Sequence, residues 1–121
     1  MRLPYWNWPR NQCWRIRILL DECVPLRFNR ELPDHEVRSV PEMGWASQEN
    51  GALLALASGK FDVFVTTDQR LVYQQAVSNF AIAVVVLVAR RNKLEFLRPL
   101  VPDLRRALAE VKAGEVRWVG I

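Results

Sequence analysis

Ile16-Arg17-Ile18-Leu19-Leu20-Asp21-Glu22 is a short β-rich run that ends on two acids. Apolar residues at successive positions predict a strand buried on both faces, as in a parallel sheet. Phe61 to Thr66 has the same character and leads through Thr67 to Asp68. Two buried strands that each end on an acid set the frame for the rest of the chain.

Working outward, Pro25 opens a helix with Leu26, Phe28 and Leu32 as its apolar stripe, and Pro33-Asp34 breaks it. Glu36 to Val40 alternates polar and apolar, as a second strand would. Pro41 to Gln48 is a loop. Leu53, Leu54, Leu56 and Ala57 form a short helix closed by Gly59. After the Phe61–Thr66 strand, Leu71 to Val77 predicts another short helix. Ile82 to Val88 is the most apolar strand and is expected to be central. Leu94 to Val111 is a longer amphipathic helix, with Leu97, Leu100, Val101, Leu104, Leu108 and Val111 on one side. Pro99 and Pro102 delay or bend its start. Gly114 ends it, and Val116, Trp118 and Ile121 suggest a last strand. Strands alternating with helices predict a single three-layer α/β domain. Its sheet is mostly parallel, of about five strands, with right-handed crossovers.

The chain has 121 residues, the size of one domain, and half of them are hydrophobic. The net charge is +4, from 17 basic and 13 acidic residues. Residues 1–17 hold Arg2, Arg10, Arg15 and Arg17 and no acid, so the remainder is formally neutral. Residues 1–14 are a basic, Trp-rich arm with Pro4, Pro9 and no clean period, and 15–121 are the domain. The arm is either a solvated tail, an upstream extension, or a strap for its aromatics. Cys13 and Cys23 lack metal-ligand spacing and are expected to be reduced, structural thiols of a cytoplasmic protein. No secretory leader pattern opens the chain. The apolar run Ala81 to Ala89 is far short of the roughly 20 residues that cross a bilayer, so no membrane partner is expected.

In parallel α/β sheets, sites form in the loops at the carboxyl ends of strands. Asp21 and Glu22 follow the first such strand, and Asp68 follows the third. Carboxylates brought within about 4 Å repel by roughly 1 kcal/mol in water and by several times more where water is excluded. They then need a cation, a raised pKa or an arginine. Oxygen donors without His or Cys beside them suit magnesium or manganese. The plain alternative is that each acid merely caps the helix that follows it.

Four blocks, in this order and spacing, resemble the PIN-like nuclease domains of small toxin–antitoxin pairs. They are Ile16 to Pro25, His35-Glu36-Val37, Gly51 to Ala57, and Val65-Thr66-Thr67-Asp68. The resemblance spans about residues 15–120. It implies a metal-dependent ribonuclease toxin whose catalytic and metal-binding residues are Asp21, Asp68 and, as an adjunct, Glu22. It also implies RNA as substrate, Mg or Mn as cofactor, a small antitoxin as partner and, by analogy, a homodimer. The chain departs from the family at two places. Asn50, beside Glu49, stands where an acid commonly precedes the second helix, and Arg70 stands where many members carry a fourth acid. Arg70 can pair with Asp68 in place of a cation, or hold a scissile phosphate bidentately. Asn50, Arg70, Arg90, Arg91 and Asn92 are the expected substrate-binding residues, with Lys93 beside them. Tyr73 can touch a base or form helix surface. Gln74 and Gln75 are expected on the helix surface, Trp45 over the core edge, and His35 in a structural role.

Two other functions share these features. A degenerate PIN-like module would bind RNA or a partner without cleaving, which Asn50 and Arg70 favour. A phosphoacceptor receiver domain also pairs acids after strand one with an aspartate after strand three. It needs a lysine ending its fifth strand, however, and Lys112 lies before that strand.

Overall fold

Apolar residues at successive positions form β1 (Arg17–Leu20), β3 (Val63–Thr66) and β4 (Ala83–Val88). The more polar β2 (Glu36–Ser39) and β5 (Val116–Gly120) form the edges. All neighbouring strands pair in parallel, in the order β2-β1-β3-β4-β5. The coordinates are a computed structural model describing residues 15–120. The expected arm at 1–14, Cys13 and the proposed strand residue Ile121 lie outside the described residues.

Alternate side chains along each strand serve two cores. On one face Ile18, Leu20, Val63, Val65, Val85 and Leu87 pack with Phe28, Leu97, Leu104 and Leu108. On the other, Leu19, Phe64, Val84 and Val86 pack with Leu53, Leu54, Ala57 and Leu71. The helices of the second face are α1 (Asn50–Ala57) and α2 (Leu71–Gln74). The first face is covered by a 3-10 segment (Leu26–Glu31), α3 (Leu94–Leu97) and α4 (Val101–Glu110). Buried on both sides, the interior strands show no polar alternation, as expected for a parallel sheet.

Three expectations change in detail. The segment after Pro25 is 3-10 rather than α-helical, and Phe28 is its only buried residue; Leu26 is 56% exposed and leaves the apolar stripe. The long helix is divided into α3, a 3-10 turn at Arg98–Leu100, and α4. Pro99 and Pro102 lack the amide hydrogens that an unbroken α-helix would use there. The helix expected over 71–77 is likewise split, into α2 and a 3-10 turn at Val77–Asn79. β4 is interior, as its composition suggests, although β3 holds the exact middle of the sheet.

The strand order has one consequence for function. After β1 the chain moves outward to β2, then crosses back over β1 to β3 and continues outward on the other side. The loops leaving β1 and β3 therefore turn to opposite faces. That reversal lies at the carboxyl edge of β1 and β3, the place where sheets of this kind bind ligands. No helix among the described residues is long and apolar enough to cross a membrane.

Candidate functional site at the carboxyl edge of β1 and β3

Asp21 follows β1, and its backbone N–H continues the ladder by donating to the Val65 carbonyl at 2.9 Å. This puts Asp21 beside Thr66, the last residue of β3. The Thr66 hydroxyl donates to Asp21 Oδ2 at 2.7 Å and accepts from the Asp68 N–H at 3.0 Å. One fully buried hydroxyl thus joins the two acids that the sequence singles out.

Asp21 is only 8% exposed, and burying a carboxylate is costly unless donors surround it. Three are present. The Glu22 N–H donates to Oδ1 at 2.8 Å, and the Thr66 hydroxyl and the Cys23 thiol (3.4 Å) donate to Oδ2. The 3-10 segment that follows has no side-chain cap. Asp21 therefore does not serve as a helix cap, and its carboxylate turns sideways to β3.

Asp68 is more open, with 26% of its side chain exposed. Its Oδ1 accepts from the Arg70 backbone N–H at 3.0 Å and from Arg70 Nε at 3.3 Å. The first bond is a local turn of the kind aspartates form before helices, so helix entry accounts for part of its role. The second is an exposed ion pair, a class worth little on its own. Arg70 occupies the position expected to modify the acid site and does pair with Asp68.

The structure does not draw every expected residue together. Glu22 is exposed, and its backbone rather than its carboxylate enters the network. Asn50 begins α1 and is half-buried. Its neighbour Gly51 lies so close to the end of α2 that an added Cβ would sit 2.9 Å from Gln75 Oε1. Arg90, Arg91, Asn92 and Lys93 form an exposed carboxyl-side loop after β4. Arg90 lines a cleft with Phe96, Pro99, Leu100 and Gly120, on the side of the sheet away from α1 and α2. Trp45 covers the core edge, edge-on to Phe61 with ring centroids 6.2 Å apart. His35 Nδ1 accepts the Ile16 N–H at 3.0 Å and so has a structural role.

Cys23, Thr66 and Thr67 join the site although sequence reasoning gave none of them a functional role. The Cys23 sulfur lies 3.0 Å from Thr67 Oγ1 and 3.5 Å from Thr66 Oγ1. Burial pushes its pKa up, and the Asp21 charge adds to this against opposing hydrogen bonds from Thr67 and Thr66. Cys23 is thus a neutral thiol that donates to Asp21. A detectable signal did exist: a threonine closing a buried strand must find a polar partner.

Asp21 and Asp68 present oxygen donors of the kind hard divalent ions take, two carboxylates in number. Among the described residues no group of three or more His, Cys, Asp or Glu side chains could hold a metal. Asp21 and Asp68 are the residues that could contribute to an ion whose other ligands are waters or substrate oxygens, and they do not form an all-protein cage. Lys112 lines a cavity with Arg17, Asp62 and Gly59 at the amino ends of the strands. It is at the opposite edge from Asp68, where a receiver domain could not use it. Comparison of the chain with protein-family models, with curated proteins and with solved structures returned no match.

Proposed function

We propose that this domain is a PIN-like, metal-dependent ribonuclease, the toxin of a toxin–antitoxin pair, acting in the cytoplasm. The observation that carries the proposal is the pair of acids, Asp21 and Asp68, tied to one buried hydroxyl beside the strand-order reversal. Maintaining a buried carboxylate there is hard to explain by stability alone. Asp21 and Asp68 would hold Mg or Mn, with Glu22 at the rim. Such an ion would supply Lewis-acid activation of a phosphodiester and of water. The chain's own part is to hold the two carboxylates in place: Thr66, Cys23 and the Glu22 N–H orient Asp21, and Arg70 steadies Asp68. Arg70, Asn50 and the loop from Arg90 to Asn92 would receive RNA. A small antitoxin would restrain the enzyme, and two copies would form a dimer.

Purified protein incubated with single-stranded RNA and manganese tests the activity. Cleavage that disappears in both Asp21→Asn and Asp68→Asn supports it, and cleavage that persists in those variants sinks the site. Expression alone should slow growth, and a small neighbouring gene should relieve that.

The Arg70–Asp68 ion pair favours a second function, an RNA- or partner-binding module that has lost catalysis. It predicts RNA binding with no metal-dependent cleavage, and restored cleavage is then not expected in Arg70→Ala.

A further inference from the structure

Tyr73 and Trp118 are the two exposed aromatic side chains among the large hydrophobics at the surface of the described residues, at 81% and 41% exposure. They meet, with ring centroids 6.3 Å apart and planes tilted by 45°. Their place in the sheet ties them to the acid site. Thr66 pairs with Val86, and Val86 pairs with Trp118, so the three lie in one row across β3, β4 and β5. Asp21 extends this row on the other side of Thr66. Strands lie about 4.8 Å apart, which puts Trp118 roughly 10 Å along the row from Thr66. Strand alternation aims Trp118 to the same face as Val116, the face of α1 and α2. On that face Arg70 and Tyr73 stand one turn apart, the Tyr73 N–H donating to the Arg70 carbonyl at 3.0 Å.

We propose that Tyr73 and Trp118 form a stacking platform for an unpaired RNA base next to the Asp21–Asp68 site. This deepens the ribonuclease proposal and rests on it for the RNA class. Asp68 pairs with the exposed Arg70, Tyr73 follows Arg70 by one turn, and Tyr73 meets Trp118. That sequence of groups matches one nucleotide step of a single strand, with a phosphate for the cation and a base for the aromatic face. Aromatic stacking needs no particular base, so the platform would favour single strands over duplex without reading sequence.

Fluorescence anisotropy of the full chain with a short labelled single-stranded RNA, in EDTA so that no cleavage intervenes, tests the platform. Tyr73 is so exposed that Tyr73→Ala leaves the core untouched. It should weaken binding by about 5- to 100-fold, the range for loss of one stacked base. Tyr73→Phe should bind like the wild type. The salt dependence should keep its slope, because no phosphate contact is lost. Wild-type affinity in Tyr73→Ala overturns the platform and leaves the ribonuclease proposal standing. If the wild type binds no RNA, the platform falls, and the manganese cleavage assay alone decides the ribonuclease proposal. Weakened binding in Tyr73→Ala without any manganese-dependent cleavage by the wild type supports the platform and removes the nuclease. Unchanged RNA affinity with loss of a dimer in sedimentation assigns the pair to a contact between copies, and the platform is overturned.

Discussion

Thr66→Val keeps the shape of a fully buried side chain and deletes its hydroxyl. Two hydrogen bonds go with it. The bond to Asp21 Oδ2 is short and charge-assisted, at 2.7 Å, a kind worth about 1.5–3 kcal/mol. The bond from the Asp68 N–H, at 3.0 Å, is worth about 0.5–1.5 kcal/mol. Two effects offset part of the loss. The Cys23 thiol still donates to the same Oδ2, and valine buries an additional methyl, worth about 1 kcal/mol. The net expectation is a loss of about 2–3 kcal/mol in urea unfolding, with the slope unchanged. For a slope between about 1 and 3 kcal/mol/M, the midpoint falls by roughly 0.7–3 M. Thr66→Ser separates the causes, because it keeps the hydroxyl and loses only a methyl. It should cost about 1 kcal/mol and retain any metal-dependent cleavage that the valine variant loses. If valine lies within about 0.5 kcal/mol of the wild type, or costs no more than serine, Thr66 does not join the two acids as described.

Gly120 ends β5 at a φ of 100°, and an added Cβ would fall 2.2 Å from the Val88 carbonyl oxygen. Gly120→Ala should therefore cost more than the roughly 1–2 kcal/mol of a left-handed alanine; Gly44→Ala, also at positive φ but with nothing within 4 Å, should cost only that, and thermal melts of the two rank them. His35 is the one histidine of the chain. Burial holds its pKa below the ordinary 6.5, with Arg105 and Arg15 adding to this and Asp34 opposing it. The unfolded chain then takes a proton near pH 6.5 that the native state refuses, so stability falls as pH drops from about 7 through the lowered native pKa and levels off below it. Urea midpoints at neutral and mildly acidic pH should show this decline, and His35→Gln should flatten it; an equal decline in that variant would place the proton elsewhere. Chelation should abolish cleavage yet leave the unfolding free energy within about 0.5 kcal/mol, because Asp21 and Asp68 already have protein donors; a large drop in stability with EDTA would mean that the ion is structural.

Periodicity and strand-ending acids in the sequence locate all five strands of the described residues and the carboxyl-side position of Asp21 and Asp68. Burial on both faces leaves a continuous apolar mark in β1, β3 and β4, so the parallel layers are legible. The proline positions mark where the last long helix breaks. Which strand lies beside which is not local information. It follows from the crossovers and from packing of two helical layers, and here it sets β1 against β3. That adjacency brings Thr66 to Asp21 across 45 residues of chain and draws in Cys23. It also aligns Trp118 with the same row. Glu22 shows the converse: one residue past Asp21, it follows the same strand, but its side chain faces solvent. The chain's own order of residues determined that acids end two buried strands. Only the tertiary structure decided that one buried hydroxyl joins them, because lateral strand order depends on contacts that no stretch of sequence contains.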